Sequence, residues 1–187
     1  DLQVQDVEQN NVRVENAASA EIFGLEVDGA YLVTENVQID VAFTYLNAEF
    51  TDFSSEDPKR PERGEQDLSG NVLPKAPEFT FAIGAEVGVP IDDRGIFTIR
   101  GDLSYQSKIF FSSFEDPLLE QDAFAWLKMR GTYVPNKGNW QLAIFADNLT
   151  NKTVVTNAIY TGDIVGSRAA GNLAPPFTWG VEVAVTF

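Results

Sequence analysis

The sequence of 187 residues predicts an all-β fold, an antiparallel β-barrel that crosses a membrane. Three observations predict it. Segment after segment alternates apolar and polar residues with a period of two, as strands with one apolar and one wet face do, and no stretch has a helical period. The connections alternate in length: long at about 9–19, 54–76 and 150–176, medium at 111–122, short at 34–36, 90–95 and 135–139. Short turns on one rim and longer loops on the other is the pattern of a bacterial outer-membrane barrel. Finally, Phe177 to Phe187 puts an apolar residue at every odd position, has the length a tilted strand needs to cross a bilayer, and stops on an aromatic residue.

Taken in order, Leu2 and Val4 alternate with Gln3 and Gln5, and Glu8 to Ser19, small and polar, reads as a loop. A strand over about 20–33 sets Phe23, Leu25, Val27 and Tyr31 against Gly24, Glu26 and Asp28. After a turn, 37–53 sets Val37, Ile39, Val41, Phe43 and Tyr45 against Gln38, Asp40, Ala42 and Thr44. Residues 54–76 are charged, rich in Pro and Gly, and without a period. Phe79 to Val89 and Phe97 to Gln106 form the next pair around the turn at 90–95, and 123–134 and 140–147 pair around 135–139. The loop 150–176 then leads to the last strand, which makes about eight strands in all. Tyr31, Phe97, Tyr133, Trp140 and Phe187 gather at the short-turn end, and Tyr45, Tyr105 and Trp126 at the other, as two interfacial girdles require.

Composition narrows function. The chain has no cysteine and no histidine, which removes disulfides, thiolate nucleophiles, Ser-His-Asp triads and His-ligated zinc. Nothing points to an enzyme or to a cofactor. A net charge of −15 argues against nucleic acid, which needs clustered cations. No apolar run reaches the length of a transmembrane helix. Asp1 to Asp6 lacks the basic and apolar regions of a signal peptide, so the expectation is that a signal was removed or that the chain is part of a longer one.

Five stretches resemble the C-terminal half of the barrel of TonB-dependent outer-membrane receptors. Asn16-Ala17-Ala18-Ser19-Ala20 through Gly24-Leu25-Glu26 is similar to that family's NAASAxxxGxE strand. Tyr45 to Phe53 resembles YLDAxYxDF, Ser69 to Pro77 resembles SGNxLPxAP, Asn148 to Lys152 resembles NLxxK, and Pro176 to Phe187 resembles the closing PRTYGVxxxxxF. Departures fall at Phe177, where Arg is common, at Trp179, where Tyr is usual, and at Thr153-Val154, where a Tyr often follows. The resemblance implies that residues 1–187 are the C-terminal portion of a 22-strand barrel in the Gram-negative outer membrane, with the C-terminus periplasmic. It implies outer-membrane lipid as surroundings, a plug domain in the same full-length chain, energy from the TonB complex through a missing N-terminal part, and a scarce nutrient such as a ferric siderophore as cargo.

Candidate residues follow from the alternation and the resemblance. Arg100, Asp102, Lys128 and Arg130 project inward on neighbouring strands, either toward a plug or an anionic ligand, or as a cross-strand ladder of ion pairs. The terminal Phe187, with Trp179, resembles the signal read by the outer-membrane assembly machinery. Acidic loop residues such as Asp57, Asp67 and Asp116 offer oxygen ligands for calcium but lack EF-hand spacing. Phe110, Phe111 and Phe114 suit either ligand stacking or a lipid anchor. Two other readings remain at this level: a self-contained eight-stranded outer-membrane barrel with a structural or adhesive role, and a soluble carbohydrate-binding β-sandwich. Inward Gly24, Ala42, Ala82, Gly84, Gly88, Ser104 and Ala143 favour a wide barrel over a small one, whose lumen side chains must fill.

Overall fold

A computed structural model describes residues 2–8, 11–161, 166 and 168–187. Its strands, in chain order, are β1 Leu2–Glu8, β2 Asn11–Thr34, β3 Val37–Asp52, β4 Ser54–Glu56, β5 Glu65–Asp67, β6 Phe79–Ile91, β7 Gly95–Gln106, β8 Ile109–Phe110, β9 Glu120–Gln121, β10 Phe124–Pro135, β11 Trp140–Asp147, β12 Val155–Thr161, β13 Arg168–Leu173 and β14 Thr178–Val185. One 3-10 turn, Pro61–Arg63, lies between β4 and β5.

Eight strands form one antiparallel sheet in the order β1-β2-β3-β6-β7-β10-β11-β14, each beside its sequence neighbour apart from the strands held in loops. Register does the work that a packed core does elsewhere. Val41 pairs with Ile83, Ile83 with Leu103 and Leu103 with Leu127, a continuous apolar row across four strands. On one side the next row holds Phe43, Phe81 and Tyr105; on the other, beyond Ile39 and Ala85, a further row holds Val37, Val87 and Ile99. Toward β14 the same face continues through Leu142 with Val183 and Ile144 with Val181. Most of these side chains are exposed, with Val37, Ile39, Ile83 and Leu127 half-buried, which a lone sheet in water would not tolerate over such a width. Because the side-chain period is two, the intervening rows carry the polar residues on the opposite face.

The turns at 35–36, 92–94 and 136–139 share one rim with the last residue of the chain. They are tied sideways. Asn136 N–H donates to the Arg94 carbonyl at 2.9 Å, Tyr133 Oη donates to the same carbonyl at 3.0 Å, and Thr186 N–H donates to the Asn139 carbonyl at 2.7 Å. Tyr133 and Trp140 stack beside them with centroids 5.8 Å apart.

The structure corrects three expectations. Residues 11–18, read as part of a loop, continue β2 and pair with β1 from Leu2↔Ala18 to Glu8↔Asn11. β3 ends opposite Ser19, so β1 pairs with the part of β2 that runs past the wall, and seven strands make the wall itself. Polar composition hid this because antiparallel pairing is made by backbone groups and needs no apolar run to form. The loops read as aperiodic each hold a short ribbon, β4 with β5, β8 with β9 and β12 with β13. Trp126, assigned to a girdle, lies on the polar face, where its indole N–H donates to Asp147. Its position is one residue out of step with the outward Ala125 and Leu127.

Candidate functional site: the charged face and the loops above it

Across the middle of the wall, the polar face is knitted by ion pairs. Asp40 on β3 pairs in register with Gly84 on β6, and Gly84 with Asp102 on β7, so two carboxylates flank a residue with no side chain. Arg100 fills the gap. Its Nη2 lies 2.7 Å from Asp40 Oδ2 and 2.7 Å from Asp102 Oδ1, its Nε donates to Asp102 Oδ2 at 3.2 Å, and Glu86 stands 3.9 Å away. Gln38 Nε2 donates to the other oxygen of Asp40 at 2.6 Å. A Cβ at Gly84 would lie 2.5 Å from Arg100 Nη2 and 2.6 Å from Asp40 Oδ2, which explains the glycine.

Arg100 and Arg130 are direct cross-strand partners, a pairing of like charges that is unfavourable unless each has its own acid. Each does: Arg130 Nη2 lies 3.1 Å from Glu182 on β14. The Arg130 guanidinium also lies 6.0 Å from the centroid of the Phe145 ring, which covers Gly180 closely enough to exclude a Cβ there. Lys128 Nζ is 3.4 Å from the Asp147 carboxylate that also accepts from Trp126. Of the four inward residues singled out in the sequence, then, Arg100 and Asp102 meet each other, whereas Lys128 and Arg130 turn to partners on β11 and β14. Gln38, Trp126 and Phe145 each support one of these pairs and were not singled out as site residues in the sequence; their place in the alternation was the available signal. Glu26 and Asp28 share this face through Thr44 and Ala42, so acids outnumber bases on it.

At the long-loop end the polar face disappears beneath folded loops. Ala48 and Phe50 continue the inward positions of β3 and are buried, Phe50 at 2 % exposure, under Phe53, Leu68, Leu73 and Phe114. Phe50 and Phe53 rings lie 4.7 Å apart. Phe114, a candidate for ligand stacking, is thus committed to packing, while Lys108 sits 4.5 Å above the Phe110 ring and 3.5 Å from Glu120. Asp57 and Asp116, considered as calcium ligands, bond to Arg60 at 3.0 Å and Lys59 at 2.8 Å. Among the described residues no group of three or more carboxylates is gathered to hold a metal ion. Burial pushes the Asp116 carboxyl up, but the Lys59 ammonium, the Leu118 N–H and the nearby Arg60 outweigh it and hold Asp116 below the usual aspartate range.

Asn148 anchors the third loop. It is fully buried, with its backbone in the left-handed region at φ 52°. Its Nδ2 donates to the carbonyls of Lys152 (2.9 Å) and Pro175 (3.1 Å), and its Oδ1 accepts from Lys152 N–H at 2.8 Å. Asparagine tolerates this conformation and offers both donor and acceptor, which accounts for its place at the head of Asn148-Leu149-Thr150-Asn151-Lys152. Phe187 and Trp179 are both exposed, Trp179 at 64 % on the apolar face.

No family profile and no curated protein matches the chain. Solved structures do. The ferric yersiniabactin uptake receptor FyuA from Yersinia pestis aligns with a TM-score of 0.77 at 17 % identity, over 94 % of this chain and 25 % of that one. The siderophore receptor PiuA from Acinetobacter baumannii aligns at 0.70 and 18 % identity, over 97 % and 23 %. BauA, the ferric preacinetobactin receptor from the same species, aligns at 0.67 and 19 % identity, over 97 % and 25 %. The chain therefore spans about a quarter of the length of each receptor. At these identities the likeness establishes the fold alone: the chain folds as a stretch of these receptors does.

Proposed function

We propose that residues 1–187 are the C-terminal sector of the barrel of an outer-membrane receptor that imports a ferric siderophore or similar scarce nutrient, energised through TonB. The observation that carries this reading is the two-sided wall. Exposed apolar rows on one face suit lipid, and an ion-paired, acid-rich face opposite suits a wet interior. The sector contributes wall and mouth, with no catalysis of its own. Its charged face, centred on Arg100, Asp102, Lys128 and Arg130, borders the passage and a plug domain from elsewhere in the full-length chain. With the short turns periplasmic, the C-terminus is periplasmic and the long loops face outward.

The test is growth and iron uptake in iron-starved cells in which the gene for the full-length protein is deleted and then restored. Loss of uptake of one ferric siderophore on deletion, regained on restoration, is the expected result. Unchanged uptake of every ferric siderophore supplied would refute the iron reading, and a full-length chain with no plug would refute the receptor reading. Removal of Phe187 is expected to lower surface levels of the full-length protein, read by surface immunolabelling; unaltered levels would remove its role in assembly.

A further inference from the structure

We propose that the loops 53–78 and 107–123 form a single prefolded roof on the upper end of β3, opening and closing as one body and not as two independently moving loops. The inference goes beyond transport as such and does not depend on the identity of the cargo.

The first loop is stitched to β3. Leu73 N–H donates to the Ala48 carbonyl (2.9 Å), Gly70 N–H to that of Phe50 (2.8 Å) and Leu68 N–H to that of Phe53 (2.8 Å), while Phe50 N–H donates to Asn71 (2.9 Å). These bonds hold residues 68–73 along the upper end of β3, beyond the point where its pairing with β6 stops at Tyr45↔Phe79. The second loop is then bound to the first by interactions of three kinds. Phe114 packs on the Phe50, Phe53 and Leu68 cluster. Asn71 Nδ2 donates to the Ser113 carbonyl (2.8 Å), Val72 N–H to Glu115 Oε1 (2.9 Å) and Lys75 N–H to the Phe110 carbonyl (2.9 Å). Lys59 Nζ closes on Asp116, whose side chain is 7 % exposed.

Parting the loops would uncover the cluster and strand a nearly buried carboxylate and several polar groups at once. Losses that must occur together make a cooperative unit. The third loop differs: its described bond to this pair is Val155 N–H to Gln121 Oε1, 2.6 Å.

Hydrogen–deuterium exchange on the full-length protein in detergent micelles tests this by perturbing one loop and reading the other. Phe114→Ala alters only the second loop, yet is expected to speed exchange of the amides at 68–75 in the first by about tenfold or more, with β12 and β13 unchanged. Faster exchange confined to 107–123 would overturn the proposal. Should Phe114→Ala loosen the whole sheet, Lys59→Met gives the reciprocal reading: amides at 116–121 must open with those of 57–64, and their unaltered protection would equally overturn it.

Discussion

The wall and the roof of this chain are stabilised in opposite ways. In the wall, large apolar side chains from Phe23 to Val185 are exposed, and order comes from the ladder of backbone pairs and from ion pairs between neighbouring strands. In the roof, sequence that is charged and aperiodic builds a buried apolar cluster around Phe50, Phe53 and Leu68. The difference is one of solvent. On the proposed reading lipid covers the wall, so side chains there need only be apolar, whereas the roof stands in water and must bury its own apolar surface.

The largest expected effect tests the roof. Phe50→Ala removes a buried ring at the centre of the cluster and should cost about 3–5 kcal/mol, confined to the loops. Limited proteolysis should cut within 54–76 and 107–123 while the folded wall keeps its shifted migration on unheated gels. Loss of that migration would show that wall and roof are one unit.

The wall's dependence on lipid comes next. Val41→Arg places a cation in the middle apolar row and should cost about 2–4 kcal/mol if that row lies at mid-bilayer. Arginine at Ala42, one residue on and facing the other way, should cost much less. Chemical denaturation in lipid vesicles measures both, and equal costs would contradict the lipid assignment of the outer face.

Smaller effects distinguish polar knots. Asn148→Ala leaves the Lys152 N–H and the Pro175 carbonyl without their partner and should cost about 1–3 kcal/mol, seen as faster proteolysis of 150–176. Gly84→Ala must shift the Arg100 guanidinium or the Asp40 carboxylate, mobile ends of partly exposed side chains, and should destabilise by at most about 1 kcal/mol. Gly88→Ala, where the nearest atoms lie 3.9 Å away, serves as its near-neutral control in the same denaturation assay.

The smallest effect is with pH. Asp116 is held below its ordinary value of 3.8, so its ion pair stabilises the roof fully above the ordinary aspartate range. That contribution disappears as pH falls through the lowered value. Protection at 107–123, measured as exchange corrected for the intrinsic pH dependence of amides, should therefore fall in acid below the usual aspartate range, and Asp116→Asn should remove this dependence.

How much of this was legible in the sequence differs between the two regions for the same reason. Alternation placed Val41, Ile83 and Leu103 on one face and Asp40, Arg100 and Asp102 on the other, because side-chain direction along a strand is a local property. It did not say that Arg100 would reach across Gly84 to Asp40, sixty residues earlier, or that Arg130 would choose Glu182. The ribbon at 11–18 and the paired β12 and β13 were missed because their residues satisfy backbone bonds without an apolar face to announce them. Phe114 offered no hint of its neighbours at all.

The sequence by itself determined the wall: strand after strand of period two, turns of Pro, Asn, Asp and Gly between them, and an aromatic end. Those features are local, because side-chain direction alternates along any strand. Only the tertiary structure decided which charge meets which and how two irregular loops close on each other, since those contacts join residues far apart in the chain, and only the register of the sheet brings them within reach.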